Sequence, residues 1–350
     1  MRLALAALTV VAAAGAGELR PGVWAGDAVG AMPASGYEVY LLGELHGIRE
    51  NVPILRAYLE VLYRSGVRDV AVEEDAGLES AAQEYVTGRS GRIPPDLCLR
   101  ANVLDAVREF NRGRSPAAMV RIRLVDLDSP ADAIQLHLER VRDRIDPKHA
   151  TPLKDSEAAV AALRKLTTDA ALLRELRTIE HSIHALKQGF EVGLGEPKGS
   201  PYLDDREQAI ASNLLDIARE PGSHGVLALY GMDHVSKAMR RPNGEAALAP
   251  MALRLEKAGV RVYSALLFPL GGNWSWRGRK EEMMWGPSDG ALSTGETFEH
   301  LSAAAPGQLL YVDRSREKLR LPGSDQNLLA VDGYVLIPKG TPLENRCAAR

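Results

Sequence analysis

Short apolar runs alternate along the chain with longer segments in which apolar residues recur at helical spacing. The apolar runs predict strands at residues 37–42, 69–72, 119–125, 226–230, 260–267, 309–312 and 334–337. The amphipathic segments predict helices at residues 52–63, 78–86, 131–144, 204–219 and 244–258. Because strands and helices alternate, the chain predicts an α/β fold in which helices flank a mainly parallel central sheet.

One long segment departs from this alternation. Residues 151–190 are charged and helical in pattern and contain no strand, which predicts a helical insertion over about 151–199. Residues 271–289 are rich in Trp, Gly and charge, and they predict an irregular lid or a hairpin. No linker rich in Pro, Gly and Ser divides the chain, so we expect a single domain over residues 18–350.

The N-terminus has the three parts of a secretory signal peptide. Arg2 precedes the apolar residues 3–14, and small residues follow up to Gly17. We therefore expect a signal peptide at residues 1–17, cleavage before Glu18 and a secreted or periplasmic protein. The alternative is a buried first strand or helix. The apolar run is short for a membrane span, so we expect no such span in the mature chain.

Composition narrows the classes of partner. The formal net charge is -3 and aromatic residues make up 5% of the chain, so nucleic acid is not an expected partner. A small-molecule substrate fits better, and the oligomeric state stays open. The two cysteines, Cys98 and Cys347, form one disulfide in an exported protein or remain unpaired, and neither belongs to a metal-type cluster.

The segment that bears most on function is Gly-Glu-Leu-His-Gly at residues 43–47, directly after the first predicted strand. Side chains alternate along a strand, so Glu44 and His46 point the same way. In open α/β sheets, sites gather beyond the carboxyl ends of the strands. The pair therefore predicts proton-transfer or metal chemistry. The alternative is that His46 caps a helix or makes a structural hydrogen bond.

Two other predicted strands also end in ionisable residues. Glu73 and Glu74 follow the strand at 69–72, and His234 follows the strand at 226–230 by four residues. Acids from one strand end and imidazoles from two others are the convergence expected of an active site. The alternative for both glutamates is helix capping, because acids are favourable at a helix N-terminus.

A helix supplies the remaining candidate. Arg206 and Asn213 are seven residues apart in the predicted helix at 204–219, so they share a face. An arginine that points into an acidic pocket can orient a carboxylate or stabilise developing negative charge. The alternative is a helix of surface salt bridges.

Three further patterns carry less weight. Residues 286–290 match the letters of a G-x-S-x-G nucleophile elbow, but no helix follows them. His181 and His184 have a spacing that can bind a metal, without the acid of the usual motif. His137 has no informative context, so we expect it to be structural or exposed.

Together these residues resemble the erythromycin esterase, ChaN, Tiki and TraB superfamily. The resemblance rests on residues 43–47, on the strand that ends in Glu73 and Glu74, on the segment from Arg206 to Asn213, and on Gly-x-x-His at 231–234. Residues 331–337 resemble the closing strand of that family. The chain departs from the family's arginine segment at Glu207, Ile210 and Ser212. Only the element at 43–47 matches a motif of the family closely.

The resemblance implies a site formed by Glu44, His46, Glu73 or Glu74, Arg206 and His234. In the esterase-like branch no cofactor would be needed: His46 would deprotonate water, and Glu44 would orient His46 or tune its basicity. His234 would protonate the leaving oxygen or bind the oxyanion, and Arg206 would support that charge. The products would be those of hydrolysis of an ester, a lactone or a related acyl bond. In the Tiki-like and TraB-like branch, Glu44, His46, Glu73 and His234 would instead bind a divalent metal that activates water. In the ChaN-like branch the protein would bind haem and would not be an enzyme.

Overall fold

A nine-stranded sheet forms the centre of the protein, in the strand order β1-β2-β10-β11-β7-β3-β6-β4-β5. The computed structural model describes residues 17–188, 202–239, 248–276, 279–283, 301, 303–316 and 330–344. The strands in these residues are β1 Gly17–Arg20, β2 Val23–Ala25, β3 Val39–Glu44, β4 Asp69–Asp75, β5 Arg121–Asp126, β6 Val226–Gly231, β7 Val262–Pro269, β8 Gly272–Trp276, β9 Arg279–Met283, β10 Leu310–Asp313 and β11 Gly333–Ile337.

Six adjacent strands of the sheet are parallel. From β11 through β7, β3, β6 and β4 to β5, each strand pairs with its neighbour in parallel. The strands β1, β2 and β10 add an antiparallel edge. Strands of a sheet that is covered on both faces read as continuous apolar runs, which is why they were visible in the sequence. The predicted α/β class with a mainly parallel sheet is confirmed.

Helices cover both faces of this sheet. They are α1 Asn51–Arg64, α2 Glu79–Val86, α3 Ala101–Asn111, α4 Ala131–Ile145, α5 Ser156–Arg164, α6 Ala170–Lys187, α7 Tyr202–Ala218 and α8 Met251–Lys257. One apolar core joins α1, α2 and α3 to the sheet, and a second joins α7 and α8 to it. A helix on each face buries the strands and leaves their carboxyl ends accessible to loops.

The predicted helical insertion contains α5 and α6, as its pattern indicated. These two helices share a small apolar core with α4, so the helical unit also includes the preceding helix. Residues 189–199 of the predicted insertion lie outside the described residues. The division of the chain into a signal peptide and one domain stays a prediction, because residues 1–16 also lie outside them.

Two element boundaries differ from the prediction, and one helix with the turn before it was not predicted. The strand β4 continues to Asp75, so both predicted glutamates lie within a strand. The helix predicted at 244–258 begins at Met251, because Pro250 occupies its N-cap, and residues 240–247 are not described. The helix α3 and the 3-10 turn before it, Pro95–Arg100, were not predicted.

Other expectations meet the structure only in part. The predicted lid or hairpin contains the antiparallel pair β8–β9, whereas Trp285 and residues 286–290 lie outside the described residues. Cys98 is disulfide-bonded, and Cys347 is not among the described residues. Within the described residues, no helix is both long enough and apolar enough to cross a membrane.

Candidate functional site

The carboxyl ends of four neighbouring strands lie side by side: β3, β6, β4 and β5. Glu44, the last residue of β3, pairs in register with Gly231, the last residue of β6. Next to them β4 ends at Asp75, and β5 ends at Asp126. Because the four strands are parallel, their carboxyl ends deliver side chains to the same place.

Glu44 and His46 form a pair at these strand ends. The Glu44 carboxylate is 5% exposed, and one of its oxygens lies 2.9 Å from His46 Nδ1. Asn51 donates to the other oxygen at 2.8 Å, and Arg100 donates to the first. Burial alone would raise the pKa of Glu44, but Arg100 and His46 outweigh it and lower the pKa. The ionised Glu44 therefore orients the imidazole ring of His46.

Glu73 stands between the two imidazoles. Its Oε2 lies 3.4 Å from His46 Nε2, and its Oε1 lies 3.6 Å from His234 Nε2. The backbone N–H of Gly231 donates to Oε2 at 2.7 Å, and Arg206 Nη2 donates to Oε1 at 2.8 Å. Burial favours the neutral acid, but the surrounding imidazoles and Arg206 hold the pKa of Glu73 well below its usual range. The centre of the site is thus a fixed carboxylate.

His234 lies in the 3-10 turn Met232–Val235 that follows β6. Its Nδ1 is 2.6 Å from Glu207 Oε1, and the other oxygen of Glu207 accepts the backbone N–H of Met251 at 2.6 Å. Burial alone would lower the pKa of His234, but Glu207 and Glu73 outweigh it and raise the pKa to about 10. His234 is therefore an imidazolium at neutral pH.

The two adjacent glutamates of β4 contact different groups. Glu73 reaches the imidazoles, whereas Glu74 accepts a hydrogen bond from Arg100 Nε at 3.1 Å. Burial is the largest influence on Glu74 and raises its pKa, despite the charge of Arg100. Alternation of side chains along a strand explains this division. Arg100 links Glu74 to Glu44 and so joins the ends of two strands that are not neighbours.

Arg206 connects α7 to the ends of two strands. Its Nε lies 2.9 Å from Asp126 Oδ1, and its Nη2 reaches both Asp126 Oδ2 and Glu73. Asn213 lies two turns further along α7 and donates to the backbone carbonyl of Val125 at 3.0 Å. Both residues face the sheet, as their spacing predicted. Arg206 belongs to the site, and Asn213 fixes the helix to β5.

The site therefore contains two acid–imidazole pairs on either side of one carboxylate. The side chain of His46 is 25% exposed and that of His234 is 9% exposed. Solvent thus has better access to His46, while His234 is held as a buried cation. One imidazole is placed to exchange a proton, and the other is placed to present a fixed positive charge.

The predicted metal ligands do not suit a metal in this arrangement. Oxygens of Glu44 and Glu73 accept hydrogen bonds from Arg100 and Arg206, whose positive charges occupy the place of a cation. Within the described residues, no group of three or more His, Cys, Asp or Glu side chains has the geometry of a metal site.

All six predicted site residues lie in this cluster, but the sequence prediction missed four of its members: Asn51, Arg100, Asp126 and Glu207. Asp126 follows an apolar run just as Glu73 does, so the same signal identifies it. Glu207 stands next to Arg206 in a segment already singled out. Arg100 lies in an irregular turn, where no periodic pattern marks it.

His137 and His184 lie outside this cluster. His137 is buried, with its Nδ1 2.6 Å from Asp128 Oδ2 and its Nε2 3.3 Å from Glu175 Oε2. Burial alone would lower the pKa of His137, but the two carboxylates raise it to about 9. His184, from the pair with metal-like spacing, lies 2.7 Å from Asp205 instead.

Solved structures provide the only matches among three comparisons, since neither a family model nor a curated protein matches the sequence. A Bacillus cereus protein matches with a TM-score of 0.67 and 14% identity, over 89% of this chain and 91% of that one. A succinoglycan biosynthesis protein matches with a TM-score of 0.64 and 15% identity, over 89% and 93%.

The third match is a mutant of the erythromycin esterase EreC in its open conformation, with a TM-score of 0.61, 15% identity and coverage of 89% and 93%. A haem-binding ChaN of Campylobacter jejuni matches with a TM-score of only 0.31, from which we infer nothing. At these identities the likeness concerns the fold. It shows that the chain shares its fold with erythromycin esterase EreC, which is the fold that the predicted resemblance implies.

Proposed function

We propose that the protein is a hydrolase of an ester, a lactone or a related acyl bond, in which His46 activates water. The observation that carries this proposal is the setting of His46. Its imidazole is partly exposed, the ionised Glu44 holds its Nδ1 at 2.9 Å, and its Nε2 faces the anionic Glu73 at 3.4 Å. An imidazole oriented by one carboxylate, with its second nitrogen toward the reaction space, is the usual form of a general base.

The first step is attack by water on the acyl carbon. His46 Nε2 takes a proton from the water as its oxygen bonds to the carbon, and the electron pair of the carbonyl moves to its oxygen. The resulting imidazolium lies between the carboxylates of Glu44 and Glu73, which stabilise its charge.

The second requirement is stabilisation of the oxyanion. His234 retains its proton at neutral pH because its pKa is raised to about 10 by Glu207 and Glu73, against the effect of burial. We assign it to hydrogen bonding and charge stabilisation of the oxyanion. When the tetrahedral intermediate collapses, the bond to the leaving oxygen breaks, and His46 returns its proton to that oxygen. The products are a carboxylic acid and an alcohol.

Arg100 and Arg206 act as positioning residues in this scheme. Arg206 holds Glu73 and Asp126 together, and Arg100 holds Glu44 and Glu74. Fixed partners keep the dipoles and charges of the site in place before the reaction, which is how most electrostatic catalysis is achieved. The likeness in fold to erythromycin esterase agrees with ester hydrolysis as the reaction class.

The test is hydrolysis of a panel of aryl esters, aliphatic lactones and erythromycin by the purified protein, with and without a chelator. His46→Gln should lower kcat by about 100-fold to 10000-fold, the usual contribution of a general base. His184→Gln is the matched control, because His184 is 57% exposed and lies outside the site. Full activity of the His46 variant would refute the proposal, and loss of wild-type activity with chelator would favour the metal-dependent alternative.

A further inference from the structure

A cavity separate from the candidate site lies between the sheet and the helices α4 and α6. Its volume is about 330 Å³, and its walls include the turn Ala76–Leu78, residues of α2 and β5, and the side of α7 that faces the sheet. None of the six predicted site residues lines it. Its size is that of pockets that hold small molecules.

Positive charge predominates in this cavity. Four guanidinium groups line it, those of Arg89, Arg140, Arg144 and Arg174, against the carboxylates of Glu79 and Glu175. The four arginines come from α4, α6 and the segment after α2, so they approach from different walls. Surface arginines on one helix would not be grouped in this way.

Two of these arginines already have acidic partners. Arg144 binds Glu175, and Arg174 lies 2.8 Å from Glu220. Glu79 accepts a backbone hydrogen bond from Leu124 at 3.0 Å, so it is also occupied. These contacts balance the charges of Arg144 and Arg174 and leave the charges of the other two arginines unbalanced.

Arg89 and Arg140 keep an unbalanced charge. Arg140 Nη1 donates to the backbone carbonyl of Gly77 at 2.7 Å, and a carbonyl carries no net charge. Neither arginine forms an ion pair within the part of the chain that the structure describes. Both side chains are solvent-exposed, so a ligand can reach them. Guanidinium groups are well suited to bind carboxylate or phosphate oxygens in a planar, two-pronged manner.

We propose that this cavity binds a small organic anion through an oxyanion group, either carboxylate or phosphate, that Arg89 and Arg140 contact. Such a ligand would link the segment that follows α2 to the helix α4. The site is distinct from the proposed hydrolytic site, so its ligand need not be the substrate.

Isothermal titration of the full chain with inorganic phosphate and with succinate, at constant ionic strength, tests the proposal. Arg89→Gln is the decisive variant, because within the described residues Arg89 has no hydrogen bond or ion pair whose loss would disturb the fold. Arg140→Gln is the second variant. Arg142→Gln is the matched control, since Arg142 lies on the same helix, pairs with Asp143 and does not line the cavity.

We expect at least one anion to bind to the wild type, with affinity lowered about tenfold or more in each of the two cavity variants and unchanged in the control. Binding of phosphate alone would identify a phosphate group, and binding of succinate alone would identify a carboxylate. The proposal is overturned if neither anion binds, if Arg89→Gln binds as the wild type does, or if the control loses affinity equally. Ester hydrolysis is not the readout, so failure here leaves the proposed hydrolase untouched.

Discussion

Replacing Gly231 by alanine places a methyl group in the middle of the candidate site. The new Cβ would lie 3.2 Å from His46 Nε2, 3.3 Å from Glu73 Oε2 and 3.5 Å from His234 Cδ2. The backbone itself would tolerate alanine, because Gly231 has φ -52° and ψ 142°, an ordinary conformation for any residue. The substitution therefore probes the space among the three groups and leaves the strand end undisturbed.

The first two contacts are tighter than carbon atoms normally make, so the imidazole and the carboxylate must move by a few tenths of an ångström. A misplacement of about 1 Å in an active site costs roughly 100-fold in rate, so we expect kcat for ester hydrolysis to fall about 10-fold to 100-fold. Overpacking of this kind costs about 1–3 kcal/mol, which lowers Tm by roughly 1–4 °C in a chain of this size.

Steady-state kinetics and thermal unfolding measure the two effects on the same samples. Gly91→Ala is the matched control, since nothing lies within 4 Å of its Cβ position and its φ is not in the left-handed region. Its kcat and Tm should equal those of the wild type. A Gly231→Ala protein with wild-type kcat would refute the assignment of this space to the reaction.

Three further outcomes follow from the ionised groups. Glu207→Gln removes the charge that keeps His234 protonated, so the alkaline limit of the pH–rate profile should move from near pH 10 toward neutrality, and unfolding by denaturant should show a loss of about 3–5 kcal/mol. Arg206→Lys replaces a fork that binds two carboxylates by a single ammonium, so kcat should fall at least about tenfold while the circular dichroism spectrum is retained; an unchanged kcat would contradict the positioning role. The folded pKa of His137, about 9, exceeds its ordinary value of 6.5, so its contribution to stability is complete below pH 6.5 and is lost as the pH rises through 9. The stability difference between wild type and His137→Gln should therefore be large near pH 6 and small near pH 10, as measured by denaturant unfolding, and a difference independent of pH would contradict it.

The sequence reveals the parts of the fold in which every residue is buried and therefore apolar. The strands β3, β6 and β7 are covered on both faces, so their apolar runs mark them to within two residues at each end. The carboxyl ends of neighbouring parallel strands lie side by side. The ionisable residues that follow such runs could therefore be assigned to one place. Glu44, Glu73 and His234 were found in this way.

The parts that the sequence does not reveal depend on contacts between distant segments. Arg100 lies 56 residues from Glu44 and 26 from Glu74, and the packing of α3 against α1 and α2 brings it there. The role of His137 likewise depends on Asp128 and Glu175, which come from different elements. Periodicity indicates which face of a helix or strand is buried. It does not indicate which charged residue from another element a side chain will contact.

The central claim is that His46 acts as the base that activates water, held by Glu44 and not by a metal. The most direct measurement is the pH dependence of kcat/KM for ester hydrolysis by the wild type, Glu44→Gln and His46→Gln, each in the presence of a chelator. We expect activity in the wild type with chelator, an activity of His46→Gln lower by about 100-fold or more at every pH, and an intermediate value for Glu44→Gln. Equal activity of His46→Gln and the wild type, with both folded, would contradict the account.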